Sequence, residues 1–461
     1  MPTSLSRRRR FLSSAGVFAL PALGLCLPRA FAQARELPPL AEIALDRSEP
    51  GLARGELSAE QAVVPVDGGF ARLTTYNRSF PGPLLRVRRG ETVQLRFSNR
   101  LAEETNLHFH GMNIPPVRRA DNIWIHVPKG EAFEYAFTVS QRDAGLHWYH
   151  PHIHGKMARQ MFAGLTGAIL VEDPPEIADA LRGIDDRICV LKDITLQGED
   201  VEPHRHLEWP VGKEGAQLLV NGVRAPMVRA RSTLVRLRLL NASNARYWRL
   251  RLTADQPFSI IAEDGYFLGA PIETEELLLV PGGRAEILVD LAGREHVTMW
   301  YHPAPRRGHA FTAVQPLLHV EPRADATPVV HPARLGVVPV FDETTVVQQR
   351  SVVLSLLNIC SQFFREDRVD IHARAGSREI WRVNNVDLMD HTFHLHTWHF
   401  HVLSVNDEAP AHDALRDTVN VRPGDVLRLG VDFKEHRGRT LYHCHMAEHS
   451  DKGMMAVIQV D

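Results

Sequence analysis

Histidine is the residue whose placement carries chemistry: 25 histidines in a 461-residue chain form seven His-x-His pairs, where composition alone gives about one. Side chains at i and i+2 of a strand share a face, so each pair is a two-nitrogen clamp on a stiff support. His108/His110, His150/His152, His394/His396 and His443/His445 recur at matching places along the chain. His152–His154, His204–His206 and His399–His401 fall outside that register and read as surface or packing residues. Structural zinc is served by four ligands and catalytic zinc by three plus water, so eight imidazoles imply several ions, and imidazole suits copper. Cys444 lies between His443 and His445 and therefore points to the opposite strand face. With His391, His449 and Met454 it makes two imidazoles, a thiolate and a weak thioether, the ligand set of a blue-copper electron-transfer centre. Because His443-Cys444-His445 is contiguous, the thiolate site and the histidine cluster are joined by a covalent path of residues about 3.3 Å apart along the strand.

The elements that hold these side chains repeat. Alternating apolar residues Val93, Leu95 and Phe97 lead to Asn99; Val235, Leu237 and Leu239 lead to Asn241; Trp381 and Val383 lead to Asn385. The asparagines are spaced by roughly 140 residues, a domain-sized repeat. A second landmark also comes three times, as Trp148-Tyr149-His150-Pro151-His152, Trp300-Tyr301-His302-Pro303 and Leu441-Tyr442-His443-Cys444-His445. His108 and His110 follow Asn99 by the same steps that separate His394 and His396 from Asn385. In the middle unit Leu250 and Leu252 stand at those positions and only His302 survives of the other pair, so that unit is expected to be a spacer without copper. Pro151 stands where Cys444 would be, so only one thiolate centre is expected. Short strand-like runs broken by Gly, Pro, Asn and Asp predict an all-β chain of three Greek-key β-sandwiches or barrels. The units are expected at 45–178, 182–325 and 345–461, with linkers near 175–185 and 325–350.

A net charge of −2 gives no electrostatic reason to bind nucleic acid. Residues 1–32, with Arg7–Arg10, Phe11-Leu12, an apolar stretch to Leu27 and Ala30-Phe31-Ala32, read as a cleaved signal rather than a membrane anchor. Arg8-Arg9 ahead of Phe11-Leu12 resembles the twin-arginine signal, whose machinery exports folded and often cofactor-loaded proteins, so a periplasmic or secreted protein is expected; a monomer is expected as well. Only Cys189, Cys360 and Cys444 follow that signal, too few for a disulfide framework. Cys189 and Cys360 read as buried apolar residues, with one cross-domain bridge as the alternative.

On His108-Phe109-His110-Gly111, Trp148-Tyr149-His150-Pro151-His152, His391-Thr392-Phe393-His394-Leu395-His396 and His443-Cys444-His445 through His449 to Met454, the chain resembles the bacterial three-domain multicopper oxidases, laccase-like. The resemblance implies three cupredoxin-type domains and four copper ions. Type 1 copper would take His391, Cys444, His449 and Met454, and type 2 copper His108 and His394. The two type 3 coppers would take His110, His150 and His445 on one ion and His152, His396 and His443 on the other. It implies one-electron oxidation of a small reductant, a phenol or aromatic amine, coupled to reduction of dioxygen to water. An acidic residue commonly follows the first His-x-His of such enzymes, and Asp121 is the candidate proton relay. Relatives also carry Glu after the second type 1 histidine, where this chain has Ser450, leaving Asp451 or Glu448 as substitutes. A cuprous-oxidase role is the nearest alternative, but the methionine-rich insert of those enzymes is missing. A non-catalytic cell-division scaffold is the alternative from another class, disfavoured because such relatives lose the copper ligands that this chain keeps.

Overall fold

The computed structural model describes residues 34–306, 312–434 and 436–461, so the expected signal lies outside the described residues. The three asparagine-terminated strands form as their alternation predicts. In Thr92–Asn99 the side chains of Val93, Leu95, Phe97 and Asn99 are buried while their neighbours are not. Each asparagine then ties off its strand in the same way. Asn99 Nδ2 donates to Glu103 O and Val127 O, Asn241 Nδ2 to Arg246 O and Leu279 O, and Asn385 Nδ2 to Met389 O and Val421 O. Each Oδ1 accepts the backbone N–H two residues on, from Leu101, Ser243 and Asp387. A buried backbone group without a partner costs on the order of 1–3 kcal/mol, so one side chain that satisfies three of them is a strong local constraint.

The sheets repeat with the asparagines. Leu52–Val66 runs parallel to Thr92–Asn99, Asp185–Ile194 parallel to Leu234–Asn241, and Val346–Ser355 parallel to Arg378–Asn385. Each pair sits inside a six-stranded sheet, opposed by a four-stranded sheet in the first unit and five-stranded sheets in the second and third. Three cores result, around Val93, Phe97 and Tyr135, around Leu237, Trp248 and Leu250, and around Trp381, Phe393 and Tyr442. The fold is all-β, with multiple β-sandwich layers and helices of only four to six residues among those described. No helix among the described residues is long and apolar enough to cross a membrane.

Two features depart from the sequence reading. The hairpin Leu196–Gln197 and Asp200–Val201 pairs with Gly69–Tyr76 and so extends the first unit's sheet, although its residues fall in the middle stretch of chain. Cys189 is buried in the middle core, but Cys360 is exposed, and both are free thiols rather than a bridge.

Candidate metal centres

The landmark strands place the histidines. His108–His110 pairs antiparallel with Gly145–His150 so that His108 lies opposite His150, and His391–Leu395 pairs with Gly438–Cys444 so that His394 lies opposite His443. The two half-sites meet face to face with approximate twofold symmetry. The ring of His108 stacks on His396 at 3.9 Å, and that of His110 on His394 at 3.9 Å. All eight imidazoles are buried, at 4% exposure or less.

Backbone and side-chain acceptors fix the outer nitrogens. His108 Nδ1 bonds Asp121 at 2.9 and 3.0 Å, His150 Nδ1 donates to Pro151 O at 2.9 Å, and His394 Nδ1 donates to Asp417 O at 2.8 Å. His443 Nδ1 reaches Cys444 O at 3.0 Å and Ser450 Oγ at 2.9 Å. Their Nε2 atoms are thereby turned inward. His443 Nε2 lies 3.0 Å from His396 Nε2 and 3.3 Å from His152 Nε2, and His445 Nε2 lies 3.1 Å from His110 Nδ1. His152, His396 and His443 present ligand atoms within 4.8 Å of one another, as do His108, His394 and His396, and His108, His110 and His150.

Those contacts supply the test of whether metal fits. Nε2 of His108, His150 and His394 and Nδ1 of His396 and His445 are buried without a hydrogen-bond partner. Burial first, and neighbouring imidazoles second, hold His108, His396 and His445 far below the usual imidazole range, and burial brings His152 down to about 3. Neutral imidazoles whose lone pairs converge repel one another unless a cation lies between them, and outer-nitrogen acceptors of this kind are how proteins orient metal-binding histidine. The residues fit metal.

The second centre lies on the other face of the same strand. Cys444 Sγ is 3.6 Å from His391 Nδ1 and 3.6 Å from His449 Nδ1, and the three ligand atoms lie within 4.8 Å. Met454 is fully buried in the same core cluster, its N–H donating to His449 O at 3.0 Å. Here too the far ring nitrogens are held: His391 Nε2 by Asp387 Oδ2 at 3.1 Å, and His449 Nε2 by Pro210 O at 3.0 Å. Burial would raise the Cys444 thiol, but the two imidazoles beside Sγ outweigh it and bring it down to about 5. Burial would likewise depress His391, yet the Asp387 carboxylate and the sulfur carry it up to about 9. A thiolate between two imidazoles suits a soft, one-electron metal.

Of the candidate proton carriers, Asp121 touches the cluster through His108, and burial pushes its carboxyl up to about 8 against the Phe109 N–H bond. Asp451 is placed differently: its oxygens accept Gly155 N–H and Ala158 N–H at the start of the helix Met157–Phe162, and burial raises it to about 7. Glu448 is buried against His204 Nε2 and Asn244 Nδ2, both at 2.8 Å. Of the off-register histidines, His154 and His206 are exposed, and His401 bonds Asp413. His399 comes within 3.4 Å of Asp417. In the middle unit Leu250 and Leu252 are core residues and His302 is half-buried opposite Arg249.

Sequence reasoning missed Asp417, Asp387 and Pro210. Each acts through a contact with a histidine, and for Asp417 and His110 that contact spans 307 positions. Asp387 alone left a local signal, four residues before His391.

Two family models, both described as multicopper oxidase, match residues 58–176 and 333–461. A multicopper oxidase, Mco, of Staphylococcus aureus is 30% identical over 402 residues, 85% of this chain and 85% of the relative. The cell division protein FtsP of Yersinia pestis is 32% identical over 477 residues, 98% of this chain and 97% of that protein. Among solved structures, a Campylobacter jejuni multicopper oxidase described as a metallo-oxidase superposes with a TM-score of 0.84 at 27% identity, covering 96% of this chain and 98% of the other. Converging buried histidines, a thiolate set between two more, and likeness along nearly the whole chain lead to one conclusion: this chain belongs to the multicopper oxidase family.

Proposed function

We propose that the chain is an exported, monomeric oxidase, carried out by the twin-arginine machinery, that takes single electrons from a phenol or aromatic amine. Four such oxidations and four protons convert one dioxygen to two waters. Type 1 copper is assigned to His391, Cys444, His449 and Met454, and type 2 copper to His108 and His394. The type 3 pair is assigned to His110, His150 and His445, and to His152, His396 and His443. Bound copper would supply reversible one-electron acceptance at the sulfur site and joint four-electron delivery at the histidine cluster. The observation that carries the reading is the meeting of three buried imidazole nitrogens, Nε2 of His152, His396 and His443, while the other ring nitrogen of His443 is taken up by Cys444 O and Ser450 Oγ.

The chain's own contribution is positional. Cys444 projects to one centre while its flanking histidines project to the other, so both centres hang on one rigid strand. Asp121 orients His108 and is the proton-relay candidate beside the cluster, its carboxyl raised by burial. Donor oxidation is assigned to the His391 edge. Asp387 accepts from His391 Nε2 and from Leu356 N–H at 2.9 Å, and Leu356, Val386 and Leu388 are exposed around it at 73%, 65% and 66%. An apolar collar with one carboxylate suits an aromatic ring bearing a hydroxyl or amine.

A metal-ion donor is the second reading, supported by the same Asp387 carboxylate and by the metallo-oxidase description of the Campylobacter neighbour. A cell-division role like that in the name FtsP is disfavoured, because every assigned ligand is retained here. Oxygen consumption by purified holoprotein separates these readings. Turnover of phenols without added copper supports the proposal, oxidation of Cu(I) alone supports the metal-ion reading, and full copper content with no oxygen uptake from any donor refutes both.

A further inference from the structure

The middle unit holds no histidine of either centre, yet it contributes a buried charged side chain that reaches the cluster through one carboxylate. Arg284, on the strand Arg284–Asp290, is fully buried. It forms a bidentate pair with Asp417 of the third unit at 2.8 and 2.6 Å. Its remaining N–H groups donate to Leu146 O of the first unit and to Gly282 O and Asp264 O of its own. Asp417 in turn reaches one histidine from each half-site: Oδ1 bonds His110 Nε2 at 3.0 Å, and its backbone oxygen accepts from His394 Nδ1. Thr418 Oγ1 donates to the same Oδ1 at 2.7 Å, and Asp264 Oδ2 accepts the N–H groups of both Asp417 and Thr418.

This contact has a chemical consequence for ring orientation. In the clamp His108/His110, Asp121 occupies Nδ1 of His108, so that ring turns Nε2 inward. Asp417 occupies Nε2 of His110, so that ring turns Nδ1 inward, toward His445. Two rings on one strand face thus offer different nitrogens, and which one His110 offers depends on a carboxylate that Arg284 and Thr418 hold in place. The packing leaves no slack, since a Cβ at Gly111 would lie 2.2 Å from Arg284 Nη2 and one at Gly282 would lie 2.9 Å from the His445 ring.

We infer that Arg284 and Asp417 are positioning residues of the trinuclear cluster, and that the middle unit sets the coordinating nitrogen of His110 rather than merely spacing the outer units. The inference rests on the copper assignment proposed above. An arginine elsewhere in the same unit supplies the control: Arg238 is also buried and pairs with Asp173, Asp186 and Glu286, but bonds no histidine of the cluster.

The test compares Arg284→Met, Asp417→Asn and Arg238→Met as purified holoproteins. Copper content per chain is measured during titration with a chelator, alongside the thiolate absorption band and the electron paramagnetic resonance signal of type 2 copper. The expected result is that Arg284→Met and Asp417→Asn release cluster copper at about 10–100-fold lower chelator and alter the type 2 signal, as loss of outer contacts to metal ligands does. The thiolate band persists in both, and Arg238→Met matches wild type in all three readouts. Asp417→Asn keeps the shape and removes the charge, so it gives the answer even where Arg284→Met does not accumulate. Copper retention and a type 2 signal identical to wild type would overturn the inference, as would parallel loss of both centres in all three variants. A wild-type chain that binds no copper would instead refute the assignment beneath it.

Discussion

The strands Gly145–His150 and Gly438–Cys444 do the same job with one difference. In both, a histidine donates Nδ1–H to the carbonyl of the next residue, His150 to Pro151 O and His443 to Cys444 O, and faces a partner on the opposing strand. The backbone device is identical, and the side chain between the histidines is a proline in one unit and a cysteine in the other. The corresponding middle strand, Val297–His302, keeps the tyrosine and one histidine, but there His302 lies opposite Arg249 and Tyr301 opposite Leu250, a core residue. The difference teaches that a half-site needs the paired histidines as well as the repeated backbone, which the first and third units share and the middle unit lacks, whereas the thiolate centre needs in addition Cys444 with His391 and His449, which the first unit lacks.

Breaking that comparison at its strongest point gives the largest effect. Cys444→Ser should bring donor-dependent oxygen uptake to background while leaving copper at the histidine cluster, measured by oxygen electrode and metal analysis. Loss of all copper together would show that the two centres are not separable. Next in size, Asp121→Asn should lower turnover or copper affinity by about 10–100-fold, because it weakens the acceptor that orients His108. A change in the pH profile of turnover would assign it the proton role as well, and kinetics indistinguishable from wild type would remove it from the mechanism. Asn241→Ala, in the unit without ligands, should cost roughly 3 kcal/mol of stability through unsatisfied buried groups, read by denaturant unfolding. Oxygen uptake per folded molecule should not change, and a selective loss of activity would contradict the repeat's purely architectural role. Smallest of all, Pro151→Cys should create no new thiolate absorption, since no imidazole pair awaits a sulfur there; appearance of a second band would refute the asymmetry.

Much of the fold and of both centres is legible in the sequence, because the information is local. Strand alternation ended by Asn99, Asn241 and Asn385 exposes the triplication, and the bonds of those asparagines explain why that residue type recurs. His-x-His spacing marks the cluster, since a strand's period of two is visible in sequence. What stays hidden depends on contacts between distant segments. Asp417, Arg284 and Pro210 carry no periodic mark, and their roles exist only once the sandwiches pack. Asp387 sits four residues from His391 and is readable in principle. The hairpin Leu196–Val201 crosses to the first sheet through a pairing that composition does not encode.

The most direct test of the central claim is a copper count on purified holoprotein and on Cys444→Ser, with absorption spectra of both. The expected result is four ions per chain with an intense thiolate-to-metal band in the native protein, and three ions with no band in the variant. A native protein that binds a single ion, or a variant that keeps the band, would contradict it.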